Sequence, residues 1–272
     1  MKNNLYPVQP FFLVNTTKYY KIRLFDTPIV HFYSFAADDG DASRRIVVPD
    51  ACVDVVFSET DEGLEGAVCG LVTKGGAMPT LRNVKYFGVR FLPGFLPKRF
   101  GVTIPELVNN RVDLSQLHGG TELLENMRGI QSFADRSRFM LKFIADDWRT
   151  NELLQLMINA VCASGGETRV RDLEEITLYS SRYINRVFRD NMGISPKAFC
   201  EHVRFQQLIS EMNSGGGKKI IDIAAEYGYY DQSHFTHEFK TFTTITPGSY
   251  GRVVDLPNYH SKFVYLPMVK TC

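Results

Sequence analysis

The stretch Lys218–Tyr250, KKIIDIAAEYGYYDQSHFTHEFKTFTTITPGSY, decides how the chain is read. Ile220, Ile221, Ile223, Ala224, Ala225 and Tyr227 recur at helical spacing, which gives one apolar face and leaves Asp222 and Glu226 on the other. Gly228 stands where a helix C-terminus needs a left-handed residue, and Asp231 can cap a second helix by accepting its orphan N–H groups. Two short helices with so short a join make a helix-turn-helix. In the second helix Phe235, Glu238, Phe239 and Phe242 follow an i, i+3, i+4, i+7 rhythm, so the phenylalanines pin it against the first. Gln232, Ser233, Thr236, His237 and Lys240 then form the outer face. That face is polar and carries little apolar bulk, as a base-reading helix in a major groove requires. Spacing alone fits a solvated helix in an ordinary bundle equally well.

The same plan recurs upstream, over Arg169–Gly193. Val170, Leu173 and Ile176 mark a first helix, Ser180 can cap a second, and Ile184, Val187 and Phe188 anchor it. Ser181, Arg182, Asn185, Arg186 and Arg189 are left for the outer face, and Arg and Asn are the usual readers of guanine and adenine. Between the two heads, Ser195–Met212 reads as a helix with Phe199, Val203, Leu208 and Ile209 inward. At about 1.5 Å per residue it spans roughly 25 Å, suited to holding two reading helices near the ~34 Å repeat of B-DNA. Residues 166–252 carry 11 Lys or Arg against 11 Asp or Glu, a balance that counts against DNA binding. The cluster Arg182, Arg186 and Arg189 offsets it locally.

The run Gly228, Tyr229, Asp231, Ser233, Phe235, Phe239, Lys240, Thr246, Pro247 and Tyr250 closely resembles the C-terminal signature of the AraC/XylS family of bacterial transcription regulators. Ser180, Arg182, Ile184, Arg186, Phe188, Gly193, Ser195, Pro196 and Lys197, with Arg204 and Phe205 beyond, resemble the same family's first head. The sequence departs from that pattern at four places: His237, where Arg is common; Thr244 and Leu178, where Gly is common; and Glu174, where Ala is usual. The departures imply one altered DNA contact, two differently built turns and altered packing of the first head.

Residues 1 to 118 read mostly as strand. PFFLV, IVHFYSF, RIVV, VDVVF and YFGVRFL are short and rich in Val, Ile, Phe and Tyr, with turn clusters at Ala37–Ser43, Glu59–Gly63 and Lys74–Gly76. Strands at this spacing suggest a barrel or sandwich. Pro49, Asp50, Cys52, Val53, Asp54 and Phe57, then Gly88, Val89, Arg90, Pro93 and Gly94, then Gly101, Glu106 and Leu107, look like the sensor half of one branch of AraC-like regulators. The likeness implies a domain that binds a small effector or mediates assembly. Asp54 and Arg90 are charges in apolar strand context: either both point to solvent, or they bridge each other or contact an effector, since a lone buried charge is costly. From Leu117 to Ala163 the period becomes helical, and Ser164, Gly165, Gly166 and Glu167 supply a break.

The expected fold is therefore α+β. A β-rich barrel-like or sandwich-like sensor domain ending in helices (1–163) precedes an all-α domain with two helix-turn-helix motifs (167–252) and a tail (253–272). A 272-residue chain with 44% hydrophobic and 22% charged residues has enough apolar matter for real cores. No apolar run reaches membrane length and the N-terminus lacks a signal core, so a cytoplasmic location is expected. Cys52, Cys69, Cys162, Cys200 and Cys272 show no metal or disulfide spacing and read as reduced thiols. His234 and His237 lie three apart but lack a third ligand, and no nucleophile elbow, P-loop or dinucleotide fingerprint occurs, so neither an enzyme, a cofactor nor a metal is expected. The partners expected are double-stranded DNA, with RNA polymerase, a small-molecule effector and a second copy of the chain as further candidates. A co-regulator acting through protein contacts is the alternative reading, favoured by the neutral charge.

Overall fold

The computed structural model describes residues 6–14, 16–37, 46–77, 84–145, 147–215, 218–229 and 231–267. The turn cluster beyond Ala37, and Cys272, lie outside the described residues. The strands are β1 (Tyr19–Arg23), β2 (Ile29–Ala37), β3 (Ile46–Val47), β4 (Asp54–Thr60), β5 (Gly63–Cys69), β6 (Gly76–Ala77), β7 (Val84–Phe91), β8 (Leu96–Pro97), β9 (Arg111–Asp113), β10 (Trp148–Arg149) and β11 (Phe263–Tyr265). Seven of them form one sheet in the order β11-β1-β2-β7-β4-β5-β9, and β3 with β6 and β8 with β10 make two short ribbons. Every neighbouring pair in the large sheet is antiparallel except β1 with β11.

Strand alternation sends Phe32, Val55, Phe57, Phe87, Val89 and Phe91 to one face of the sheet. There they pack on α1 (Gly120–Arg128), α2 (Phe133–Phe143) and α3 (Glu152–Ala163). The opposite face carries Tyr19, Tyr33, Phe35 and Tyr86. Gly88 makes that face possible: a Cβ there would lie 2.2 Å from Tyr33 Cζ, so only glycine lets the ring lie across β7. Both faces being covered, β7 reads as an apolar run without clear alternation, and all but one of its residues are buried.

PFFLV is not a strand. Pro10–Leu13 form a single 3-10 turn in which all four residues are buried, because proline starts the turn and the rings fill the space between the sheet and the C-terminal helices. Two real strands lack a strong sequence signal, β1 with its Lys and Arg and β5 with its two glycines. The long helical run before Ala163 is interrupted where Trp148 of β10 pairs opposite Pro97 and sets its ring edge-on to Phe91 and Phe95.

The C-terminal helices are α4 (Val170–Thr177), α5 (Ser181–Met192), α6 (Pro196–Asn213), α7 (Ile220–Glu226), α8 (Gln232–Thr243) and α9 (Pro247–Val254). Each helix-turn-helix shares a core with a different face of the sheet. Leu173, Ile184, Phe188 and Phe199 join the cluster on the α1–α3 side. Phe205, Leu208, Phe239 and Tyr250 join the cluster on the Tyr33 side, where Tyr250 meets Phe11 edge-on at 5.9 Å and Phe239 at 5.6 Å. α6 runs through both. The Ser164–Glu167 break is a tight turn with left-handed Gly165 and Gly166. Gly166 is packed so closely on α6 that a Cβ would approach Cys200 O to 2.4 Å. Past α9 the chain returns to the sheet: β11 pairs with β1, and Lys262 Nζ donates to Leu13 O at 2.9 Å.

Candidate functional site

The first head is built by local chemistry. Ser180 caps α5 by accepting from the Tyr183 N–H, and Glu174, half-buried on α4, accepts the N–H of Ser181. A carboxylate at that point satisfies an orphan donor and complements the positive end of the helix dipole. The glutamate that departs from the usual alanine thus acts as a second cap. Leu178 takes the left-handed conformation, φ 59°, at the join, and its side chain is 90% exposed. Ser181, Arg182, Arg186 and Arg189 are exposed. The Arg186 guanidinium lies over the Tyr183 ring at 4.8 Å, and that ring stacks on Tyr179 at 4.7 Å, so an aromatic pair packs against Arg186. Asn185 is half-buried and its Nδ2 donates to Ser181 O at 2.8 Å, so its amide is turned back on its own helix.

The second head follows the same rules. Asp231 caps α8 by accepting from Ser233 N at 2.8 Å, and Gly228 (φ 79°) ends the preceding helix. Phe235, Phe239 and Phe242 are buried, while Gln232, Ser233, His237 and Lys240 are exposed and Thr236 is half-buried. Thr244 keeps the left-handed turn at φ 61° without glycine. Glu238, inside the helix rhythm, is half-buried because it accepts from the Tyr229 hydroxyl and pairs with Arg204 of α6 at 3.6 Å. His234 approaches the same carboxylate at 4.0 Å. This cluster ties α8 to α6, and sequence spacing gave no sign of it, since Arg204 lies a helix away.

Asp54 and Arg90 stand directly opposite each other on β4 and β7, and both are buried. Arg90 Nε donates to Asp54 Oδ1 at 2.8 Å and its Nη2 reaches Asp54 Oδ2 at 2.5 Å. A third partner was not expected: Arg90 Nη1 lies 2.8 Å from Asp50 Oδ2, and Asp50 also accepts from Gln9 Nε2 and Cys52 N. Asp50 sits outside any strand, so alternation could not place it. Burial pushes the Asp54 carboxyl above its ordinary value even with Arg90 beside it.

This triad forms the floor of a cavity of about 460 Å³. Phe12, Tyr33, Tyr86 and Val56 line its walls, and Val72 and Ala77, from one segment, line it as well. The same segment grips the second head: Gly75 N donates to Thr241 O of α8 at 2.9 Å, and a Cβ on Gly75 would lie 2.3 Å from Phe242 O. The floor also connects to α6, because Gln206 Nε2 donates to Pro49 O at 2.9 Å. Burial raises every described thiol, Cys69 and Cys162 to about 12 and Cys200 to about 11, so none is the acidified thiol that redox sensing uses.

Residues 173–252 match a family described as a helix-turn-helix domain, and the paired heads within that span carry the signature set out above. These residues form an AraC-type helix-turn-helix domain. Residues 26–113 match a domain of unknown function, DUF6597, which takes in β2 to β9 and the buried triad. An uncharacterized HTH-type transcriptional regulator of Haemophilus influenzae is 29% identical over 87 residues, 32% of this chain and 29% of that protein. The probable transcription factor PqrA of Proteus vulgaris is 32% identical over 84 residues, 30% of this chain and 66% of that protein. The chain thus spans less than two thirds of the length of each. Among solved structures, ToxT of Vibrio cholerae aligns with 87% of this chain and 97% of its own, at a TM-score of 0.42 and 14% identity. No helix among the described residues is long and apolar enough to cross a membrane.

Proposed function

We propose that the protein is a sequence-specific, DNA-binding transcription regulator in which α5 and α8 read successive major-groove segments and the β-rich half senses a small molecule. The observation that carries the reading is the pair of capped helices, each with its apolar side buried and a polar side free: Arg182, Arg186 and Arg189 on one, Gln232, Ser233, His237 and Lys240 on the other. Arg182, Arg186 and Arg189 lie at i, i+4 and i+7 and so share a face, which supports α5 as the stronger reader. In this reading residues 1–163 are the sensing part, 167–252 the reading part, and the tail from 253 ties the two together. Ligand in the cavity acts on the reading heads by two routes: the lining segment from Val72 to Ala77, which holds α8 through Gly75, and the Pro49–Gln206 hydrogen bond to α6.

Genomic site mapping followed by titration of the mapped operator with the full chain tests this. Affinity should fall with salt, with a shallow slope because the module's charges balance. Equal affinity for operator and random DNA would move the reading to a co-regulator that works through protein contacts.

A further inference from the structure

We propose that the cavity above the Asp50–Arg90–Asp54 triad takes a lipophilic organic cation rather than a carboxylate or other anion. The proposal rests on the sensor reading above and names the class of molecule sensed. A buried arginine on a sensor's floor invites an acidic ligand, but here the guanidinium is already engaged by two carboxylates, through Nε, Nη1 and Nη2. Among the residues lining this cavity, the floor thus sets two acids against one base. Among the described residues the balance does not change sign at the mouth: Glu65 adds a carboxylate, and Arg111, the other lining cation among them, turns to Asp113 at 3.6 Å.

An anion entering this space would be desolvated against uncompensated carboxylate. A cation would supply the missing charge. Tyr33, Tyr86 and Phe12 offer it aromatic surface, the remaining element of sites that hold ammonium-type ligands. The volume of about 460 Å³ suits a molecule of drug-like size.

The test uses the full chain and two probes of nearly equal size and opposite charge, tetraphenylphosphonium and tetraphenylborate, in isothermal titration calorimetry. The phosphonium should bind at one site, at least tenfold tighter than the borate. Val56→Trp, which fills the cavity from β4, should weaken the phosphonium at least tenfold, and Glu65→Gln at the exposed mouth should weaken it severalfold. Thermal melts of both variants establish that they fold. Borate binding as tightly as phosphonium, and blocked by Val56→Trp, would overturn the cation assignment while leaving a small-molecule sensor. Binding of either probe that Val56→Trp does not affect would place it elsewhere and overturn the site. Binding of neither would overturn the sensor reading along with the ligand class.

Discussion

Leu178 and Thr244 hold the left-handed conformation at the end of α4 and of α8, at φ 59° and 61°, positions that a glycine would occupy without strain. For an L-residue with a Cβ this backbone costs roughly 1–2 kcal/mol, and a β-branched threonine is among the least suited to it. Replacement by glycine removes that cost and adds about 0.5–1 kcal/mol of extra chain entropy in the unfolded state. Side-chain packing hardly enters the balance, because Leu178 is 90% exposed and Thr244 is exposed. Leu178→Gly and Thr244→Gly should therefore each stabilise the protein by about 0.5–1 kcal/mol, with Thr244→Gly the larger gain. For a chain of this length the melting temperature should rise by about 1–4 °C per substitution. The two sites lie in separate heads, so their effects should add. Urea unfolding at constant m-value gives the measurement. A loss of stability in either variant would mean that the side chain holds the turn by a contact worth more than the backbone strain, and the reasoning would fail.

Arg182→Ala and Arg186→Ala should each weaken operator binding by about 1–3 kcal/mol, read by anisotropy, with random-sequence DNA much less affected. Phe188→Ala and Phe239→Ala, each emptying a fully buried ring site in a different core, should cost about 3–5 kcal/mol in denaturant melts. His202, buried edge-on to Phe242, is pushed down by burial to about 4. Between there and the ordinary value near 6.5 the unfolded chain takes up a proton that the folded chain refuses, so stability falls as pH drops through that window and the loss is complete below about 4. The total is about 3 kcal/mol, and His202→Gln should flatten that part of the pH–stability curve. Asp54→Ala leaves Arg90 half-paired and should cost about 3–5 kcal/mol, more than the double variant Asp54→Ala/Arg90→Met, in the same melts.

The helices were largely legible because each carried its own punctuation. Ser180, Asp231 and Gly228 sit at helix ends as caps, and the rhythm of Phe235, Phe239 and Phe242 survives intact in the folded core. What stayed hidden were relations between elements distant in sequence. Asp54 and Arg90 were suspect from composition, but only strand register makes them partners, and Asp50 reaches them from a loop. The apolar run PFFLV carried no period that distinguishes a strand from a buried 3-10 turn. Glu174 read as a mispacked residue because its role depends on the N–H of Ser181, across the turn. Gly75 gave no sign of being a contact point, since its partner Thr241 is far along the chain.

The return of the chain to the sheet through β11 has a mechanical consequence. A module hung from its linker alone swings like a pendulum, free in every direction the linker permits. Here the segment carrying the two heads is fastened at its entrance by the packed turn at Gly165 and Gly166 and at its exit by β11 against β1. Between those two ends the heads also share a core with each face of the sheet and take the Gly75–Thr241 and Gln206–Pro49 hydrogen bonds, so they are held against rotation as well as swing, and ending the chain before Tyr259 removes the exit fastening while leaving these hydrogen-bonding residues in the chain.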